Sequence, residues 1–271
     1  MTRDPNRRRG PGPLRTAFIV VAGIAALVYM ASGVLSGVVD EAEPEPAVGA
    51  ERLPDLVASP LIEFEAGRNA AGTEVLFFSA EIENRGDGAF VLRAIRREGS
   101  SSWRVWQRIP HEQGYERIGV PAELEYAGDA HDHWHIRKAA RYRLLGAAGD
   151  TREDNKVGFC FFDNLHEQPD LAGSPRDTVH PVDACGTRTA VELDMGLSIG
   201  WGDRYVWTLP GQSVDITGLE PGRYRLEMTA DPDGWFRESR TDNNTTWADI
   251  ELGRSADGLP TVRVIAKAPR N

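Results

Sequence analysis

The chain has 271 residues, 41% of them hydrophobic and 27% charged, the balance of a folded protein with length enough for a core. Its formal net charge is −10, and residues 1–15 hold five Arg and one Asp, so the remainder carries −14. A field of that sign repels nucleic acid and suits cationic small molecules or basic peptides.

In chain order, residues 1–15 (MTRDPNRRRGPGPLR) read as a basic cytoplasmic tail and residues 16–39 as an uncharged apolar run. As a helix at about 1.5 Å per residue that run spans about 36 Å, enough to cross a hydrocarbon layer of about 30 Å. Arginines before it and Asp40, Glu41, Glu43 and Glu45 after it put the N-terminus inside and the rest outside the cytoplasm. The run exceeds the usual signal-peptide core of about 7–15 residues, which favours an uncleaved anchor; a cleaved signal peptide is the alternative. Residues 40–53 are acidic and proline-containing, and read as a solvated spacer.

From residue 54 to about 268 the pattern is strand-like: EVLFFSAEIEN, AFVLRAI, WRVWQRI, ARYRLLG, KVGFCFF, RYVWTL, SVDITG, GRYRLEMTA, TWADIEL and TVRVIA, separated by turn signals such as NRGDG and LEPG. The expected class is an all-β sandwich of low helix content. Both ends resemble pieces of an immunoglobulin-like sandwich, a scaffold on which function must be argued from the middle. Cys160 and Cys185, in an exported chain, suggest one disulfide closing a loop of roughly 25 residues, worth about 3 kcal/mol.

Within YAGDAHDHWHIRKAARY, residues 126–142, His131, His133 and His135 alternate with Asp132 and Trp134. On a strand the three imidazoles share one face. The outer pair would lie about 13 Å apart at Cα in a straight strand, so a three-ligand metal site requires a bend, a bulge or convergent rotamers. Imidazole suits copper, zinc, nickel and iron, and the spacing does not separate copper from zinc. A cupin-type site would need a carboxylate ligand soon afterwards, and IRKAARYRLL contains none. A solvated polar strand face is the bland reading of the same run.

HDHWH, then KVGFCFFD around Lys156, then GLSIGWGDRYVWTLPGQSVDIT around Tyr205, in that order, resemble the lysyl oxidase family. The three segments are similar to its H-x-H-x-H copper run, its cofactor-lysine segment K-A-S-F-C-L-E-D and its cofactor-tyrosine segment; PDLV near the start and ES…NN near the end fit its limits. The resemblance covers roughly residues 54–252. It implies copper ligated by His131, His133 and His135, and a lysyl tyrosylquinone made from Lys156 and Tyr205. It further implies oxidation of primary amines, lysyl side chains or small amines, by O₂ to aldehyde, ammonia and hydrogen peroxide.

Asp163, Asp203 and Asp215 are candidate bases, each equally readable as a turn-capping aspartate. Asp55, Glu238, Asp242, Asn243 and Asn244 offer oxygen ligands for calcium, as in some relatives, with a polar β-turn as the alternative. Gly128 stands three residues before His131, where animal members carry histidine; Arg240 stands where a carboxylate is expected; and the segment between Lys156 and Tyr205 is longer than theirs. The competing reading of another class is an anchored β-sandwich that binds copper without oxidising anything.

Overall fold

The structure is a computed structural model that describes residues 47–128, 132–146 and 151–270, without the side chains of residue 151 and residues 154–157. These residues belong to a compact unit, Pro44–Asn271. The expected tail and apolar span, residues 1–39, lie outside the described residues, among which no helix is long and apolar enough to cross a membrane.

The described chain is all-β: β1 (Val48–Glu51), β2 (Leu56–Ala58), β3 (Ile62–Arg68), β4 (Glu74–Asn84), β5 (Phe90–Ile95), β6 (Arg104–Gln113), β7 (Tyr115–Val120), β8 (Leu124–Ala127), β9 (His133–Gly146), β10 (Thr151–Phe159), β11 (Leu165–His166), β12 (Glu192–Leu197), β13 (Trp201–Tyr205), β14 (Ser213–Asp215), β15 (Gly222–Ala230), β16 (Thr245–Arg254) and β17 (Pro260–Lys267). A single 3-10 turn, Val182–Cys185, is the helical element among the described residues.

Three sheets organise these strands. The first runs β1-β6-β5-β12 with β7 on β6, the second β10-β9-β15-β16-β17 with β8 on β9, and the third β11-β13-β4-β14 with β2 and β3 also on β4. Alternation sets which face is inward. On β5, Phe90, Leu92 and Ala94 are buried, and on β15 Tyr224, Leu226, Met228 and Ala230. β4 is instead buried along almost its whole length, because both faces are covered and both edges paired. Side chains of all three sheets join in one core cluster. Phe78 of β4 meets Tyr142 of β9 edge-on at 4.7 Å, and Phe90 of β5 meets Phe161 and Phe236 at 4.9 Å each.

Two features differ from the pattern read in the sequence. Val48–Glu51, the last part of the segment read as a spacer, is paired with β6 through Val48↔Gln113 and Glu51↔His111. The run RYVWTL is strand only as far as Tyr205, after which Leu209 N–H donates to the Val206 carbonyl in a turn. The cysteines pair as expected: Cys160 and Cys185 are disulfide-bonded, with Cα atoms 5.8 Å apart, both fully buried.

β9 changes partners midway. His133–Ile136 pairs with β8, whereas Ala140–Gly146 pairs with β15, and Lys138 between them has φ of 55°. A positive φ is costly for a lysine and marks a break in the ladder. The first half of β9 is thereby set apart as a platform for the histidines.

Candidate functional site

Asp132 has φ of 48° and β9 starts at His133, so the chain bends between the first and second histidines of the run. His131 itself lies outside the described residues. His133 and His135 project from one face, and their Nε2 atoms converge to 2.9 Å. Two imidazole nitrogens sharing one ion at about 2.0 Å, roughly at right angles, would lie about 2.8–2.9 Å apart, so the pair fits a tetragonal copper ion better than tetrahedral zinc, which would set them about 3.3 Å apart. Trp134 points the opposite way, into a cluster with Trp103 at 5.0 Å and Tyr126 at 5.4 Å, its indole N–H donating to the Thr187 carbonyl. That anchor fixes the rotation of the strand and so the facing of both histidines.

Tyr205 ends β13, in a different sheet, yet its hydroxyl lies 3.4 Å from His135 Nε2 and accepts a 3.0 Å hydrogen bond from the Cys160 N–H. The Phe159 ring lies 4.2 Å from the Tyr205 ring. Burial, with Asp203 adding to it, pushes the Tyr205 phenol well above its usual range and keeps it neutral. Lys156 falls within β10, between Asp154↔Tyr142 and Val157↔Ala140, where the register with β9 shifts. Its side chain lies outside the described residues. Three residues separate it from Cys160, whose N–H holds Tyr205.

Gly158 is a contributor that sequence reasoning passed over. A Cβ there would lie 2.8 Å from Cβ of His135, closer than real contacts allow, so a side chain would displace that histidine. A glycine inside a strand-like run, KVGFCFF, was the available signal of close backbone approach.

The three candidate aspartates have different surroundings. Asp163 is buried and engaged by donors on both oxygens: Oδ2 accepts from the Val179 N–H, the His180 N–H and the Ser198 hydroxyl, and Oδ1 from the Ser198 N–H. Asp215 is exposed and caps a turn by accepting from the Thr217 N–H. Asp203 is fully buried two residues before Tyr205; Oδ1 accepts from Asn164 at 2.7 Å and Oδ2 has no hydrogen-bond partner. Burial, with the charges of Glu81 and Asp163, raises its pKa well above 3.8.

A raised carboxyl contributes stability that is complete below its unfolded value and is lost as pH climbs through the folded one. Asp203→Asn, which cannot ionise, is therefore expected to melt close to wild type below pH 3.8 and above it at neutral pH. Chemical denaturation across that range checks this; parallel wild-type and variant curves would show that Asp203 is not held protonated.

Of the candidate calcium ligands, four come together. Asn243 Nδ2 donates to Asp55 at 2.9 Å, Asn244 Nδ2 to Glu238 at 2.6 Å, and the Leu56 N–H to Glu238 at 2.8 Å. The Oδ1 atoms of Asn243 and Asn244 are buried without hydrogen-bond partners. Burial chiefly, with Asp231 and Asp55 adding, pushes Glu238 up to about 7. Uncompensated carboxylates and orphaned amide oxygens together fit an oxygen-liganded cation. Asp242 is exposed and paired with Arg240 at 2.8 Å, as expected of a carboxylate with a guanidinium two residues away.

A family model described as Lysyl oxidase matches residues 121–257, half of the chain. Protein-lysine 6-oxidase of Homo sapiens is 28% identical over 207 residues, 73% of this chain and 45% of the human one. Those of Rattus norvegicus and Sus scrofa are each 30% identical over 156 residues, 54% of this chain, and 34% and 57% of their own lengths. The chain thus spans between a third and somewhat over half of these relatives. The matched span contains HDHWH, Lys156 and Tyr205, and by this match the chain belongs to the lysyl oxidase family.

Proposed function

We propose that the chain is a copper-dependent amine oxidase that converts primary amines, lysyl side chains or small amines, to aldehydes with O₂, releasing ammonia and hydrogen peroxide. The observation that carries this reading is the convergence of His133, His135 and the Tyr205 hydroxyl at one partly buried point. His133 and His135, with His131, would hold copper. Lys156 and Tyr205 would form the quinone, which when present supplies the electron sink that unmodified side chains lack.

The chain's own residues set the conditions. The Cys160 N–H and the Phe159 ring fix the position of the tyrosine, and burial keeps bulk water from it. Gly158 leaves the room that His135 needs. Asp203 in its ionised form is assigned the proton removed from the substrate: its raised pKa brings it toward the working range of a base, whereas Asp163 is occupied by four donors and Asp215 faces solvent. Asp55, Glu238, Asn243 and Asn244 are assigned to calcium as a structural ion. The acidic domain favours a cationic amine or lysine-containing peptide. Residues 16–39 would anchor it at the outer side of a membrane.

The test is peptide mass spectrometry on protein matured with copper and air. A covalent link is expected between the peptides holding Lys156 and Tyr205, absent in Lys156→Arg and Tyr205→Phe. Its absence in copper-loaded, aerated wild type would leave a metal-binding β domain without this chemistry.

A further inference from the structure

We propose that Glu51, His111 and Glu116 form a separate site for a zinc-class divalent cation, at the seam where β1 meets the β6–β7 hairpin. The three side chains come from three strands and each offers a ligand atom within 4.8 Å of the others. The ladder explains the convergence. Glu51 is the cross-strand partner of His111, and Glu116 is the partner of Ile109, two residues before His111, so all three fall on one face.

The orientation of His111 carries the argument. Its Nδ1 lies 3.1 Å from the Gly49 carbonyl, which can only accept, so Nδ1 bears the hydrogen and the neutral ring presents a lone pair at Nε2. Nε2 is buried without a hydrogen-bond partner, on a side chain only 10% exposed. The Glu116 carboxylate lies 3.9 Å away, beyond hydrogen-bond range. In the neutral ring a buried lone pair is thus aimed at two groups that also only accept, an arrangement that a cation between them resolves. Donation of the other ring N–H to a backbone carbonyl is the arrangement by which metal-ligating histidines are oriented.

Charge leaves room for such an ion. Arg237 pairs with Glu51 and, at 3.6 Å, with Glu116, and is itself fixed by paired hydrogen bonds between its backbone and Gln107. One guanidinium offsets one of the two carboxylates and leaves a net negative charge. One imidazole nitrogen with two carboxylates suits zinc better than calcium, which takes oxygen ligands, and three protein ligands leave a position for water. The ion would tie β1 to the sheet. None of this depends on amine oxidation.

The experiment uses the full chain carrying His133→Ala and His135→Ala, stripped with chelator and dialysed against zinc alone, with bound metal measured by plasma emission. One zinc equivalent is expected. It is lost on adding His111→Gln and, separately, Glu116→Gln, a half-exposed position at which the change leaves the core untouched, and zinc then ceases to raise the melting temperature. No bound zinc in the starting chain, or an equivalent that survives both substitutions in folded protein, overturns the site.

Discussion

His135→Ala is expected to lose both copper and amine oxidation, whereas Tyr205→Phe is expected to keep copper and lose oxidation. The difference follows from what each side chain contributes. His135 Nε2 is half of the convergent nitrogen pair, and its ring packs against Gly158, so truncation removes a proposed ligand and opens a gap beside the next strand. Tyr205 meets that nitrogen only at its hydroxyl, and phenylalanine preserves the ring contact with Phe159. If the quinone carries the chemistry, each change lowers amine turnover by at least about 1000-fold, equivalent to about 4 kcal/mol of transition-state stabilisation. Tyr205→Phe also leaves the buried Cys160 N–H without its acceptor, at about 1–3 kcal/mol of stability. Copper content, peroxide release with a primary amine and melting temperature, measured on the same preparations, separate these effects. A Tyr205→Phe protein that still turns over amine would remove the tyrosine from the mechanism.

Asp163→Ala is expected to be the most destabilising of the aspartate substitutions. Its carboxylate accepts from Val179, His180 and Ser198, so it joins the segment after Cys160 to the long loop before β12 and to the residue that follows that strand. Truncation leaves three backbone N–H groups and a hydroxyl without their acceptor. At about 1–3 kcal/mol per orphaned group, partly relieved by entering water, the loss is about 4 kcal/mol. For a domain of this size that lowers the melting temperature by about 8–16 °C. Asp163→Asn recovers part of the loss, because its oxygen at the Oδ2 position keeps three of the four donors while its amide nitrogen faces the Ser198 N–H. Thermal melts decide the matter: an Asp163→Ala protein that melts with wild type yet loses turnover would return this residue to the list of bases.

The structural position of Asp163 also indicates how far sequence reading reaches. KVGFCFFDN places Asp163 near Lys156, and GWGDRY places Asp203 near Tyr205, but closeness along a chain does not say what a carboxylate faces. Asp163 meets donors from residues 179–198, and Asp203 is surrounded by Asn164, Glu81 and Asp163 from other elements. Burial and long-range partners, neither of which periodicity encodes, separate an anchoring carboxylate from one whose pKa is raised.

The sequence by itself determined the strand class, through alternation in stretches such as FVLRAI and GRYRLEMTA, the pairing of the two cysteines, and the alternation that puts His133 and His135 on one face. These are local periodicities or simple counts, legible without partners. Only the tertiary structure decided that the Tyr205 hydroxyl meets His135, that Gly158 makes room for that ring, and that Glu51 is brought beside His111 and Glu116. Each of these joins residues of different strands, and the register that brings them together is set by packing of the sheets over a shared core rather than by any single segment.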